Sequence, residues 1–242
     1  MPEFVRSQPL RTPPVPTAAD RQHAIDVYAA AVRQRFASRL SPSIPHVAIE
    51  MQTDPLRPLP QSRRLLHRAH LHVLVEHGWE DALADGPPPA YAVAESDEVH
   101  AISTAACTAC GGKCCRHGNV QAYINHDSLR AFRHQQPAAG PDAFVATYAD
   151  RLNAQTYEGS CVHHSGRGCT LPRALRSEVC NRHFCDPLLH VHTLRLQAGP
   201  DFCCLLIRLQ DGQPHSCGLL SDRGFELLDT RLGPAAPRSQ AE

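Results

Sequence analysis

The sequence predicts a helix-rich α+β fold, and three observations carry that expectation. Two N-terminal segments, Ala18 to about Leu40 and Ser62 to about Asp85, repeat apolar residues at helical spacing. Two β-compatible runs, Leu188 to Gln197 and Phe202 to Gln210, flank Ala-Gly-Pro-Asp and precede Asp211-Gly212, the pattern of a small C-terminal antiparallel sheet. Between these parts lie two groups of cysteines dense enough to staple the helical centre of the chain together.

Residues 1–16 carry Pro2, Pro9, Pro13, Pro14 and Pro16, which prevent a helix and predict an extended arm. Thr17 suits the N-cap of the first helix, in which Ile25, Val27, Tyr28, Val32, Phe36 and Leu40 form the apolar recurrence. Ser41-Pro42-Ser43-Ile44-Pro45 stops it, Ile44 to Met51 reads as a short strand, and Pro55, Pro58 and Pro60 make a loop. In the second helix, Leu65, Leu66, Ala69, Val73, Leu74 and Trp79 are the expected buried positions, with a break at Gly78. Its histidines, His67, His70, His72 and His77, have no cysteine or carboxylate at ligand spacing and read as solvated or hydrogen-bonded imidazoles. Gly86-Pro87-Pro88-Pro89 marks the boundary between a helical region, 17–86, and a cysteine-rich region, 87–232.

Past the first cysteine group, Asp127 to about Gln136 and Asp142 to Asn153 predict two short scaffold helices. Pro172 suits the first turn of a helix over Arg173 to His183, which would carry Cys180 and leave Cys185 just beyond it. A third strand is expected near Gly218 to Leu220, and residues 233–242 read as a disordered tail.

The chain of 242 residues is long enough to bury a core without disulfides. Its 24 basic and 24 acidic side chains cancel, so no charge field points to nucleic acid or to an anionic membrane. No apolar run reaches the ~18 residues of a membrane span, which predicts a soluble, cytoplasmic protein. In a reducing compartment eleven cysteines read as metal ligands and buried thiols.

The first group, Cys107-Thr-Ala-Cys110-Gly-Gly-Lys-Cys114-Cys115, opens with the x2 spacing of a metal knuckle, whose following amides, of Gly111 and Gly112, approach the sulfurs. Because Cys114 and Cys115 are adjacent, one is expected on a first ion while the other binds a second, bridges or packs. Cys161, Cys169, Cys180 and Cys185 supply the matching half. Eight sulfurs suit two tetrahedral zinc sites, one iron–sulfur cluster beside a structural zinc, or one site with spare thiols. The spacings do not match ferredoxin runs, which favours zinc or mononuclear iron. His117, His163, His164 and His183 stand near the groups as alternative ligands or supports, and Arg173, Arg176 and Arg182 as counter-charges. Cys203, Cys204 and Cys217 read as small buried residues of the sheet. No nucleophile–base constellation stands out.

From Cys107 to Cys185 the chain resembles the YkgJ-like cysteine-cluster family, described as zinc- or iron-chelating, whose hallmark is a CxxCxxCC run followed by further cysteines. Cys107, Cys110, Cys114 and Cys115 correspond to the run, Cys161 and Cys169 to a middle pair, Cys180 and Cys185 to a closing pair. Three residues rather than two separate Cys110 from Cys114, and Leu175 to Val179 stands where the family has Arg-Pro. The resemblance implies a zinc- or iron-binding protein of no single agreed activity. A similar flagellin lysine methylase keeps open an enzyme acting on a protein or peptide, although no Gly-rich loop here suits S-adenosylmethionine. A zinc-stabilised interaction module is the third expectation.

Overall fold

The apolar run from Cys203 to Leu209 has almost no polar alternation, as a strand covered on both faces requires. In the computed structural model, which describes residues 16–84, 86 and 97–229, that run is the spine of the sheet. Ahead of it come α1 (Ala18–Arg35), β1 (His46–Glu50), β2 (Leu56–Pro58), α2 (Gln61–Gly78), α3 (Asp81–Ala84) and α4 (Asp97–Cys110). A 3-10 helix, Lys113–Gly118, leads to α5 (His126–Gln135), α6 (Pro141–Ala149) and the short strands β3 (Gln155–Tyr157), β4 (His164–Ser165) and β5 (Gly168–Cys169). The chain continues through α7 (Glu178–Arg182) and α8 (Asp186–Ala198) into β6 (Cys203–Gln210), β7 (Gln213–Ser221) and β8 (Gly224–Asp229).

The main sheet has the order β1-β6-β7-β8, with β1 parallel to β6 and the C-terminal strands antiparallel. Successive β6 side chains alternate between two cores. Leu205, Ile207 and Leu209 pack with Ile25, Tyr28 and Val32 of α1. Cys204 and Leu206 pack on the opposite face with Ile102 and Ala106 of α4 and Leu188 and Val191 of α8. A third, helical core joins Leu71 and Trp79 to Leu129 and Phe132 of α5 and Phe144 and Tyr148 of α6. Its rings Phe132, Phe144 and Tyr148 meet edge to face at 5.3 and 5.0 Å.

The first helix starts as expected, with a capping box between Thr17 and Asp20, but ends at Arg35. Beyond it the amides of Arg39 and Leu40 both return to the Phe36 carbonyl, and the resulting turns bring Leu40 and Ile44 under the sheet. On α2 the expected face is wrong in part: Trp79 and Leu74 pack into the helical core as expected, but Leu65, Leu66 and Val73 are exposed, whereas His67 and Leu71 are buried. Two imidazoles set that rotation, His67 bonding the Val120 carbonyl and His70 the Ile124 carbonyl. The run Leu188 to Gln197, expected as a strand, is α8. Pro187 sits in its first turn, and its buried residues, Leu188 and Val191, recur at helical spacing. The C-terminal antiparallel region is therefore β6 to β8. Arg173 to His183 is not one helix either, because Arg176 is extended (φ −73°, ψ 144°) and Ser177 starts α7 afresh as its N-cap.

Of the expected boundary at 86–89 only Gly86 is described, and the expected arm and tail lie outside the described residues, Pro16 excepted. On either side of that boundary the chain shares one sheet through β1 and one core through α2. Among the described residues no helix is long and apolar enough to cross a membrane.

Candidate functional site

The first cysteine group begins on a helix. Cys107 and Cys110 stand three apart on the last turn of α4, so both project to one side. Gly111 and Gly112 then both take φ of +70°, a left-handed pair that glycine alone adopts without steric cost. The Gly112 amide meets the Cys107 carbonyl at 3.1 Å and the Cys110 sulfur at 3.2 Å, whereas the Gly111 amide, also expected near a sulfur, meets the Thr108 carbonyl at 3.2 Å. The 3-10 helix that follows carries Cys114 and Cys115.

The second group folds back onto that turn. The Cys161 amide donates to the Cys115 carbonyl at 3.1 Å, and the Gly118 backbone lies so near Cys161 that a Cβ there would stand 2.9 Å from the Cys161 Cβ. The β4–β5 hairpin pairs Cys169 with His164. Cys180 rides on α7 near the hydroxyl of the N-cap Ser177 (3.4 Å), and Cys185 is the residue that precedes α8. None of the eleven cysteines is in a disulfide.

Six of the eight candidates, Cys107, Cys114, Cys115, Cys161, Cys169 and Cys180, line one cleft of 240 Å³. A second cavity, of 540 Å³, is lined by Cys107, Cys110, Cys114 and Cys185. Cys107 and Cys114 face both, so all eight sequence-predicted residues meet around a shared wall. Among the described residues no three His, Cys, Asp or Glu side chains form a ready metal-holding group. The sulfurs are gathered without being closed into a ligand shell.

Their electrostatics follow from that crowding. Burial, followed by the neighbouring sulfurs of Cys110, Cys114 and Cys185, pushes the Cys107 thiol up to about 12. Burial likewise pushes Cys161 up to about 12 and raises Cys110, Cys180 and Cys185. The hydrogen bond between the adjacent thiols lowers Cys114 and raises Cys115, so the two titrate as a pair. A soft cation among the raised thiols would favour their thiolate forms and release protons on binding. Arg173 and Arg176 line the cleft, and the Arg176 charge eases ionisation of both Cys107 and Cys180.

Two nearby histidines are committed elsewhere. His164 holds Ser160 Oγ through Nδ1 and the Gly111 carbonyl through Nε2, each at 2.7 Å, and so ties the second group to the first turn. His163 meets His67 Nε2 to Nε2 at 3.3 Å, with Thr170 Oγ1 at 3.2 Å on its other nitrogen. His67 Nδ1 donates to the Val120 carbonyl, and the Arg151 carbonyl stands 3.3 Å from His163 Nδ1, so two backbone carbonyls anchor the pair from opposite ends. Sequence reasoning missed this buried pair, since no spacing relates residues of α2 to the second cysteine group. Cys204 and Cys217 are buried in the sheet cores, as expected, whereas Cys203, also expected to be buried, is half-buried beside one of them.

The chain matches no family model, no curated protein and no solved structure. Its residues themselves therefore carry the functional argument. The donor set fits a thiophilic ion in chemistry: eight thiols outside any disulfide, lining a cleft and a neighbouring cavity, a backbone amide aimed at the Cys110 sulfur, and arginines beside the cleft.

Proposed function

We propose that this chain is a metal-binding cysteine-cluster protein that holds zinc or iron through Cys107, Cys110, Cys114, Cys115, Cys161, Cys169, Cys180 and Cys185. The observation that carries the reading is the convergence of two cysteine groups, 46 residues apart between Cys115 and Cys161, on one cleft and the cavity behind it. A fold using these residues only as packing has no reason to turn so many thiols toward cavities. The resemblance to the YkgJ-like family points the same way, and a reducing, cytoplasmic location suits eleven cysteines outside any disulfide.

The chain's own contribution is to bring the sulfurs together and to hold them. The Gly111-Gly112 turn aims Cys110, Cys114 and Cys115, and His164 clamps the second group against it. A bound zinc would supply a fixed, redox-inert crosslink, and iron would supply electron transfer. The cleft beside the sulfurs favours the second reading, an iron-dependent enzyme acting on a protein or peptide, because a purely structural centre needs no adjoining space.

Elemental analysis of chain purified anaerobically without added metal tests the proposal. At least about one equivalent of zinc or iron per chain is expected, with visible absorption if the metal is iron. Less than about half an equivalent of any transition metal, with the clustered thiols freely titratable, would overturn it.

A further inference from the structure

Cys114 and Cys115 are adjacent and their thiols are hydrogen-bonded, yet their other neighbours differ, and two observations divide the eight sulfurs at the peptide bond between them. The first is packing. Cys115, Cys161 and Cys169 pack into the helical core of Leu71, Phe132 and Phe144, whereas Cys110 and Cys185 belong to the core between the sheet, α4 and α8.

The second is the cavities. Cys115, Cys161, Cys169 and Cys180 line the cleft alone, and Cys110 and Cys185 line the cavity behind it alone. Cys107 and Cys114 stand in the wall that the two share.

The cavity behind the cleft thus draws on four cysteines, Cys107, Cys110, Cys114 and Cys185, and the other four face the cleft alone.

We infer that the cysteines form two four-sulfur metal sites that meet at the Cys114–Cys115 peptide bond. Cys107, Cys110, Cys114 and Cys185 hold the sheet-side site, and Cys115, Cys161, Cys169 and Cys180 hold the cleft-side site. The inference rests on the metal-binding reading and goes past it by fixing the number of sites and the ligands of each. Four thiolates suit a closed tetrahedral site. The sheet-side set combines the last turn of α4 with the residue preceding α8, whose N-terminal amides favour a thiolate. It crosslinks two helices that already share a core. The cleft-side set ties the 3-10 helix, the β4–β5 hairpin and α7 together and lines the cleft.

The test is a zinc titration of the reduced, metal-stripped full chain, trapped at each step with N-ethylmaleimide and read by intact mass. Saturation at about two zinc ions is expected, through molecules with about four and then about eight protected thiols. Peptide mapping should place each protected set within one of the two groups. Cys110→Ser and Cys169→Ser should each lower saturation from two zinc ions to one, leaving the other group protected. The wild-type trapping result stands even if a variant fails to fold.

Saturation at one zinc ion overturns the two-site inference and leaves metal binding intact. So does a direct step from none to eight protected thiols, or protected sets that mix the groups. No zinc uptake overturns the metal-binding reading itself and this inference with it.

Discussion

A Gly112→Ala variant is expected to lose about 4 kcal/mol of stability, from a left-handed backbone cost of about 1–2 kcal/mol and disruption of buried hydrogen bonds worth about 1–3 kcal/mol each. Gly112 sits at φ 70°, ψ 41°, and an added Cβ would lie 2.7 Å from His164 Nε2 and 3.3 Å from the Cys115 sulfur. His164 is 1 % exposed and bonded at both ring nitrogens, so its ring has no free direction in which to retreat. Gly159→Ala is the control, because φ there is also near +70° and nothing lies within 4 Å of its Cβ. Urea unfolding of both variants separates backbone strain from the His164 clash. Equal losses would show that His164 does not clamp the turn.

His67→Ala is expected to cost about 3–4 kcal/mol, through the cavity left behind and the unpaired Val120 carbonyl and His163 nitrogen. His67 is fully buried, and its ring meets His163 edge to face at 5.0 Å. The pair also sets an acid limit. Burial, then the His67 charge, pushes His163 down to about 3, and burial lowers His67 as well. Unfolded histidines titrate near ~6.5, so below that pH the unfolded chain binds more protons than the folded one. The stabilisation is complete above about pH 6.5 and is lost as pH falls toward about 3, at up to about 1.4 kcal/mol per pH unit for His163 alone. Urea midpoints at pH 7 and pH 5 check this. The wild type should fall with acid and His67→Ala should fall less; a pH-independent wild type would contradict the assignment.

Much of the fold was legible where a local rule decides it. Thr17 announced the N-cap of α1, and the apolar run Phe202 to Gln210 announced a strand, β6. The errors arose where tertiary partners decide. Leu188 to Gln197 alternates well enough to mimic a strand, and only Pro187 with the Leu188 and Val191 recurrence reveals a helix. On α2 the larger apolar residues Leu65, Leu66 and Val73 face outward because two distant carbonyls, of Val120 and Ile124, capture His67 and His70. No local pattern encodes which carbonyl lies opposite a helix.

The candidate site was legible to the same degree. Cysteine density alone named eight residues, and all eight line the cleft or the cavity behind it. Cys114 and Cys115 could not be assigned to different neighbours from spacing, because only the fold sets Cys115 against the helical core and leaves Cys114 exposed. The shared sheet also matters for any truncation experiment. Removing residues 1–86 takes away β1 and α2, so it would damage the cysteine region as well as any docking surface.

The most direct test of the central claim is K-edge X-ray absorption of the metal in the chain as purified anaerobically. With zinc bound, the account predicts a first shell of sulfur alone, about four atoms at ~2.3 Å. A first shell dominated by nitrogen or oxygen at about 2.0–2.1 Å, or no metal edge above that of the buffer, would contradict it.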